Sequence, residues 1–129
     1  MKIFKKIFAL FLTWRIALFF IAFLSIYLFP VFGARFPYYD RVLEITRLPY
    51  WIWGFGNFDG VHYLRIAQDG YLAQYSQAFF PMFPILIRFF SFIFPRIPSL
   101  DTNLFTDPAF FYSGIILSNI FFLGALFVL

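Results

Sequence analysis

The chain has 129 residues, 63% hydrophobic and only 12% charged, against roughly 25% charged in ordinary soluble domains. With 24 Phe, 8 Tyr and 3 Trp, a water-soluble domain of this size would expose large apolar patches, so the composition points to a bilayer. The net charge of +4 does not indicate nucleic acid, because Lys2, Lys5 and Lys6 sit directly before an apolar run as topology determinants; the lack of cysteine excludes disulfides, thiolate metal sites and cysteine nucleophiles.

From Ile7 to Phe29 the sequence is apolar apart from Thr13, Trp14, Arg15, Ser25 and Tyr27. At about 1.5 Å per residue it is long enough to cross a hydrocarbon core of roughly 30 Å. Arg15 is expected to extend its stem toward the headgroups, with Trp14 at the same interface. A basic start and an apolar core also describe a signal peptide. The apolar region is long, however, and Phe32-Gly33-Ala34 puts a bulky residue where a cleavage site needs a small one. An uncleaved anchor is the better reading, with the N-terminus cytoplasmic.

Pro30 and Gly33 end this first helix. The segment that follows, to about residue 78, holds half of the charged residues together with Trp51 and Trp53, and reads as an extracytoplasmic loop lying against the membrane. Within it the spacing predicts a short helix over 59–68, with Asp59 as N-cap and Val61, Leu64 and Ile66 or Ala67 as its apolar face. Gly70 is the expected stop.

A second apolar run, 79–94, has Pro81 and Pro84 near its start, where missing amide donors cost little, and Arg88 inside. It is read as a span returning the chain to the cytoplasm. Pro95, Pro98, Asp101, Asn103 and Asp107 then oppose helix, which makes 98–108 a cytoplasmic connector. The last run, Ala109 to Leu129, carries no charge and only Asn119 as a strongly polar side chain. The expected fold is therefore an all-α membrane protein: one partial membrane domain over 1–129, with spans at about 7–29, 79–97 and 109–129 and an outer loop at about 33–78. The chain stops within an apolar run without flanking charge, and is expected to be the front part of a longer protein.

The chemistry concentrates in Asn57 to Tyr71, NFDGVHYLRIAQDGY. Asp59, at a helix start by the membrane surface, is expected to be partly desolvated, which suits a general base. The bland alternative is a helix cap or an Asp-Gly turn, and the residues leave both open. His62 lies three positions on and shares a helix face with Asp59; as the sole histidine it is a weak metal ligand and a better hydrogen-bonding group. Arg41, Arg47 and Arg65 suit either a phosphate or anionic lipid headgroups. Arg88, inside an apolar run, either snorkels to the cytoplasmic side or faces a polar cavity. Asp40 and Asp69 read as solvated or structural carboxylates. Neither a glycine-rich phosphate loop nor a nucleophile elbow is present.

The order Asp59-Gly60-Val61-His62-Tyr63-Leu64, Ile66-Ala67, Gly70-Tyr71, and then Ala78-Phe79-Phe80-Pro81 with Phe83-Pro84 resembles the GPI mannosyltransferase II family and its prokaryotic relatives. That family carries Trp-Asp-x-x-His-Phe/Tyr-Leu-x-Ile-Ala-x-x-Gly-Tyr followed by Ala-Phe-Phe-Pro-x-Phe-Pro. The resemblance implies the N-terminal part of a C-type glycosyltransferase, a multi-pass protein of the cell membrane or endoplasmic reticulum with its site on the extracytoplasmic face. It implies a polyprenyl-phosphate sugar donor, a glycan or lipid-linked acceptor, and Asp59 as catalytic base. His62, Arg65, Tyr71 and Arg88 become the expected substrate-binding residues. The resemblance leaves room for a divalent metal, but no full ligand set is visible here, and no cofactor is assigned. Phe58 stands where the family has Trp, which removes an indole N–H donor that Trp51 or Trp53 would have to replace. Two other classes fit the composition: a non-catalytic accessory protein packing through Ser113, Gly114, Ser118 and Gly124, and a channel or transporter fragment, for which Arg88 and Asn119 are too few polar groups.

Overall fold

The computed structural model describes residues 2–29, 38–95 and 107–128. Every regular element among them is helical. In chain order these are α1 (Lys2–Leu28), α2 (Tyr39–Val42), α3 (Tyr50–Trp53), α4 (Asp59–Asp69), α5 (Met82–Ser91) and α6 (Pro108–Val128), with 3₁₀ turns at Glu44–Thr46, Gly54–Gly56 and Ser76–Ala78.

Two helices, α1 and α6, are long and apolar enough to cross a membrane. They run antiparallel: Phe4 stacks on Phe127 with ring centroids 5.0 Å apart, and Phe11 meets Phe122 at 5.9 Å. No residue of α1 is buried. Its apolar side chains therefore remain available to lipid or to further helices rather than to this core.

The core lies instead between the loop elements and the first half of α6. Val42, Leu43 and Trp53 from the loop meet Val61, Leu64 and Ala67 of α4, Ile87 of α5, and Phe110, Phe111 and Leu117 of α6. The apolar positions expected for α4 are the buried ones, Val61, Leu64, Ile66 and Ala67. Gly70 ends that helix at φ +82, a conformation that a side chain would strain, and its N–H donates to the Ile66 carbonyl. Small residues on α6 let the helices close up. The Cβ direction of Gly114 points at Leu64 and Ile87, both 3.5 Å away, and the buried Ser113 hydroxyl donates to the Ala109 carbonyl. The small-residue surface at this level thus serves α4 and α5 of the same chain.

The loop also braces α1. Trp51 sits edge-on to Phe19 and Phe23, with centroids 6.0 and 6.1 Å apart, and Phe55 lies 5.0 Å from Phe19. Trp53 is buried and stacked on Tyr39. Burial raises the pKa of the neighbouring Tyr50 hydroxyl.

Two features differ from the sequence expectation. The segment expected to span over 79–97 forms a helix of only ten residues. At about 1.5 Å per residue that is about 15 Å, half the thickness of a hydrocarbon core. Pro81 is the N-cap and Pro84 lies in the first turn, and the chain turns at Phe92–Ile93. Second, α6 begins beside α4: the Asp107 N–H donates to the Gln68 side chain over 2.7 Å. Pro108 therefore lies near the C-terminal end of α4, while the far end of α6 reaches the N-terminal end of α1. Most of the connector expected over 98–108 lies outside the described residues.

Candidate functional site

The start of α4 is set by an unusual backbone. Phe58 occupies the N-cap position at φ 57, ψ −127, a region that a bulky residue enters only when its surroundings impose it. The buried Asn57 supplies part of that constraint. Its side-chain oxygen accepts the Phe58 N–H at 3.1 Å, and its carbonyl accepts the Gly60 N–H. Asp59 is consequently the first helical residue rather than the N-cap, and no side-chain capping bond forms. The expected desolvation is absent as well: the Asp59 side chain is exposed. Among the described residues its carboxylate makes no hydrogen bond or ion pair, which leaves it free to meet an incoming group.

His62 is one turn further along α4 and half buried. It forms no hydrogen bond with Asp59. Its ring stacks on Phe79, centroids 4.9 Å apart at 26°, and stands edge-on to Tyr38 at 6.5 Å. The Tyr71 hydroxyl donates to the carbonyl of the same Phe79 over 2.8 Å. Arg65, half buried, places its guanidinium 5.8 Å from the centre of the Tyr38 ring. His62, Arg65 and Tyr71 are thus gathered around Phe79 and Tyr38. Arg88 is not among them. It is exposed on α5, and its guanidinium has no hydrogen bond, ion pair or ring contact among the described residues. Asp40 and Asp69 are exposed, the former 4.0 Å from Arg41. No cluster of three metal-ligating side chains occurs among the described residues.

A cavity of about 180 Å³ opens between α1, α4, α5 and α6; Asp59 is not part of its lining, although the next residue, Gly60, is. Gly60 and Tyr63 of α4, Phe83 of α5, and Ser118 and Asn119 of α6 line it, with Arg15 of α1. The Arg15 side chain packs against α6. Its guanidinium lies over the Phe122 ring at 4.7 Å and near Phe11 at 5.6 Å, and its Nε is buried without a partner. Antiparallel pairing with α6 places Phe122 beside Arg15, and the side chain turns to that aromatic face. An ionisable residue within an apolar run was the sequence signal for this group. Nothing in the sequence marked Tyr38, which becomes relevant only through the packing of its loop against α4.

These features define the class: a protein whose described residues are all helical or irregular, with two candidate membrane spans and an intervening segment that folds into a helical layer presenting an unpaired carboxylate at the start of α4. Residues 42–129 match the family described as Mannosyltransferase (PIG-V), about two thirds of the chain, and the chain belongs to this mannosyltransferase family. No curated protein and no solved structure matches it.

Proposed function

We propose that this chain forms a membrane module of a mannosyltransferase that moves mannose from a polyprenyl-phosphate donor to a glycan or lipid-linked acceptor. The observation that carries the reading is the exposed, unpaired carboxylate of Asp59 at the first turn of α4, inside the family-matched region. The α1 N-terminus with Lys2, Lys5 and Lys6 lies on the cytoplasmic side. Because α6 is antiparallel to α1, the layer containing α4 and α5 and the start of α6 at Pro108 lie together on the extracytoplasmic side. This arrangement needs two crossings, with α5 packed in the outer layer.

Asp59 accepts the proton of the acceptor hydroxyl as that oxygen bonds to the anomeric carbon. The bond from that carbon to the donor phosphate breaks on the opposite face, which inverts the configuration. The proton ends on Asp59 and the electron pair on the departing polyprenyl phosphate. His62 and Tyr71 orient the substrate through the wall built on Phe79, and Arg65 or Arg88 supplies the cationic contact for phosphate. Of these two, Arg65 shares the layer's aromatic cluster.

The test is mannosyl transfer from radiolabelled polyprenyl-phosphate mannose in membranes containing the complete protein, beside an Asp59→Asn variant. A general base contributes about 10²- to 10⁴-fold, so transfer should fall by that factor at unchanged protein abundance. Equal activity would return Asp59 to a structural role in the first turn of α4.

A further inference from the structure

Arg15 carries five N–H donors on a guanidinium that never loses its charge. Among the described residues none of these donors meets an acceptor, and Nε is fully removed from solvent. The Phe11 and Phe122 faces offset part of the charge but accept none of the N–H bonds. The nearby Asn119 donates its Nδ2 to the Ile115 carbonyl over 2.7 Å, and among the described residues its side-chain oxygen accepts no hydrogen bond from Arg15. A buried unpaired donor is costly, and a charged one more so. The adjoining cavity would relieve that cost if it held an anion.

The rest of the lining restricts which anion. Leu18, Phe19, Phe83, Ile87 and Ile115 are apolar, which suits hydrocarbon and excludes a fully hydrated ion. The space, about 180 Å³, exceeds the about 150 Å³ of an engineered cavity that holds benzene. A group with one anionic head and methylenes behind it meets both requirements. We propose that this cavity binds the phosphate head of a lipid, with Arg15 as its charged partner, Ser118 and Asn119 beside it, and the first methylenes against Phe19, Phe83 and Ile115.

The proposal rests on the bilayer placement given above, but not on Asp59 acting as a base. Two sources carry this chemistry: a polyprenyl monophosphate and a bilayer phospholipid with a terminal phosphate. The full-length protein in detergent is titrated with polyprenyl phosphate, phosphatidic acid or phosphatidylcholine, and bound lipid is counted by native mass spectrometry. Arg15→Gln should weaken the monophosphate lipids by about tenfold or more, the worth of a charge-assisted hydrogen bond, while Arg15→Lys restores part of the loss. Phosphatidylcholine, whose phosphate is screened by choline, should bind weakly and without dependence on Arg15.

Binding of polyprenyl phosphate alone would identify the donor as the source; equal binding of phosphatidic acid would identify a bilayer phospholipid. A Cβ on Gly60 meets nothing within 4 Å, so Gly60→Leu can fill the cavity with Arg15 intact, and it should abolish binding in a protein that still folds. Equal affinity of wild type, Arg15→Gln and Gly60→Leu for the monophosphate lipids overturns the site. Retention of the protein in membranes after an alkaline carbonate wash tests the bilayer placement separately, so failure of one reading is distinguishable from failure of the other.

Discussion

The imidazole of His62 lies against the ring of Phe79, centroids 4.9 Å apart and planes 26° from parallel. The contact joins two sequence segments that resemble one family, the DGVHYL run of α4 and the AFFP run before α5. Tyr63 meets the same ring edge-on at 5.2 Å, and Tyr71 binds its carbonyl. Phe79 is therefore the hinge on which the candidate substrate wall is assembled.

A double-mutant cycle with His62→Ala and Phe79→Ala should give a coupling energy of about 0.5–1.5 kcal/mol, the worth of an aromatic pair beyond its area. The measurement is thermal or denaturant unfolding in detergent. Strict additivity would mean that the stack contributes nothing to stability. Substitution of His62 by Phe should keep the fold while lowering transfer, because the ring remains and its hydrogen-bonding nitrogens are lost.

Gly56 should tolerate no side chain. A Cβ there would stand 2.8 Å from Leu43 and 2.9 Å from Phe111, and both neighbours are buried in the core. Gly56→Ala is expected to destabilise the protein by about 1–3 kcal/mol through overpacking. Gly60→Ala, whose Cβ enters open space, should be neutral or stabilising by up to about 1 kcal/mol, since Ala favours helix over Gly. Equal unfolding midpoints for the two variants would contradict this contrast.

Phe58 holds a positive φ directly before Asp59. Such conformations cost about 1–3 kcal/mol for a residue with a side chain and little for glycine. Phe58→Gly should therefore be more stable than Phe58→Ala by about 1 kcal/mol, although in most loops the order is reversed. Comparing these two variants, both of which remove the ring, isolates the backbone term. If Ala proves the more stable, the backbone at Phe58 relaxes without cost.

Much of the architecture could be read directly. A basic start before a long apolar run, and a charge-free run at the other end, mark α1 and α6 by length and hydropathy alone. Periodic apolar positions and a glycine stop mark α4. The motif residues, with Asp59 at their head, pointed to the family that residues 42–129 match. The apolar character of 79–94 was equally visible, but its role was not. An apolar helix of ten residues packed between α4 and α6 carries the same sequence signal as part of a span, because burial in protein and burial in lipid select the same side chains.

Local sequence therefore marked the long helices α1 and α6, the core of α4 and the residues apolar enough for a bilayer, since propensity and hydropathy act over a few residues. Only the tertiary structure decided that α6 runs back along α1, that Arg15 lies over the Phe122 ring, and that His62 meets an aromatic ring rather than Asp59. Each of those outcomes depends on groups far apart in the chain, and their contact energies arise only once the helices have packed.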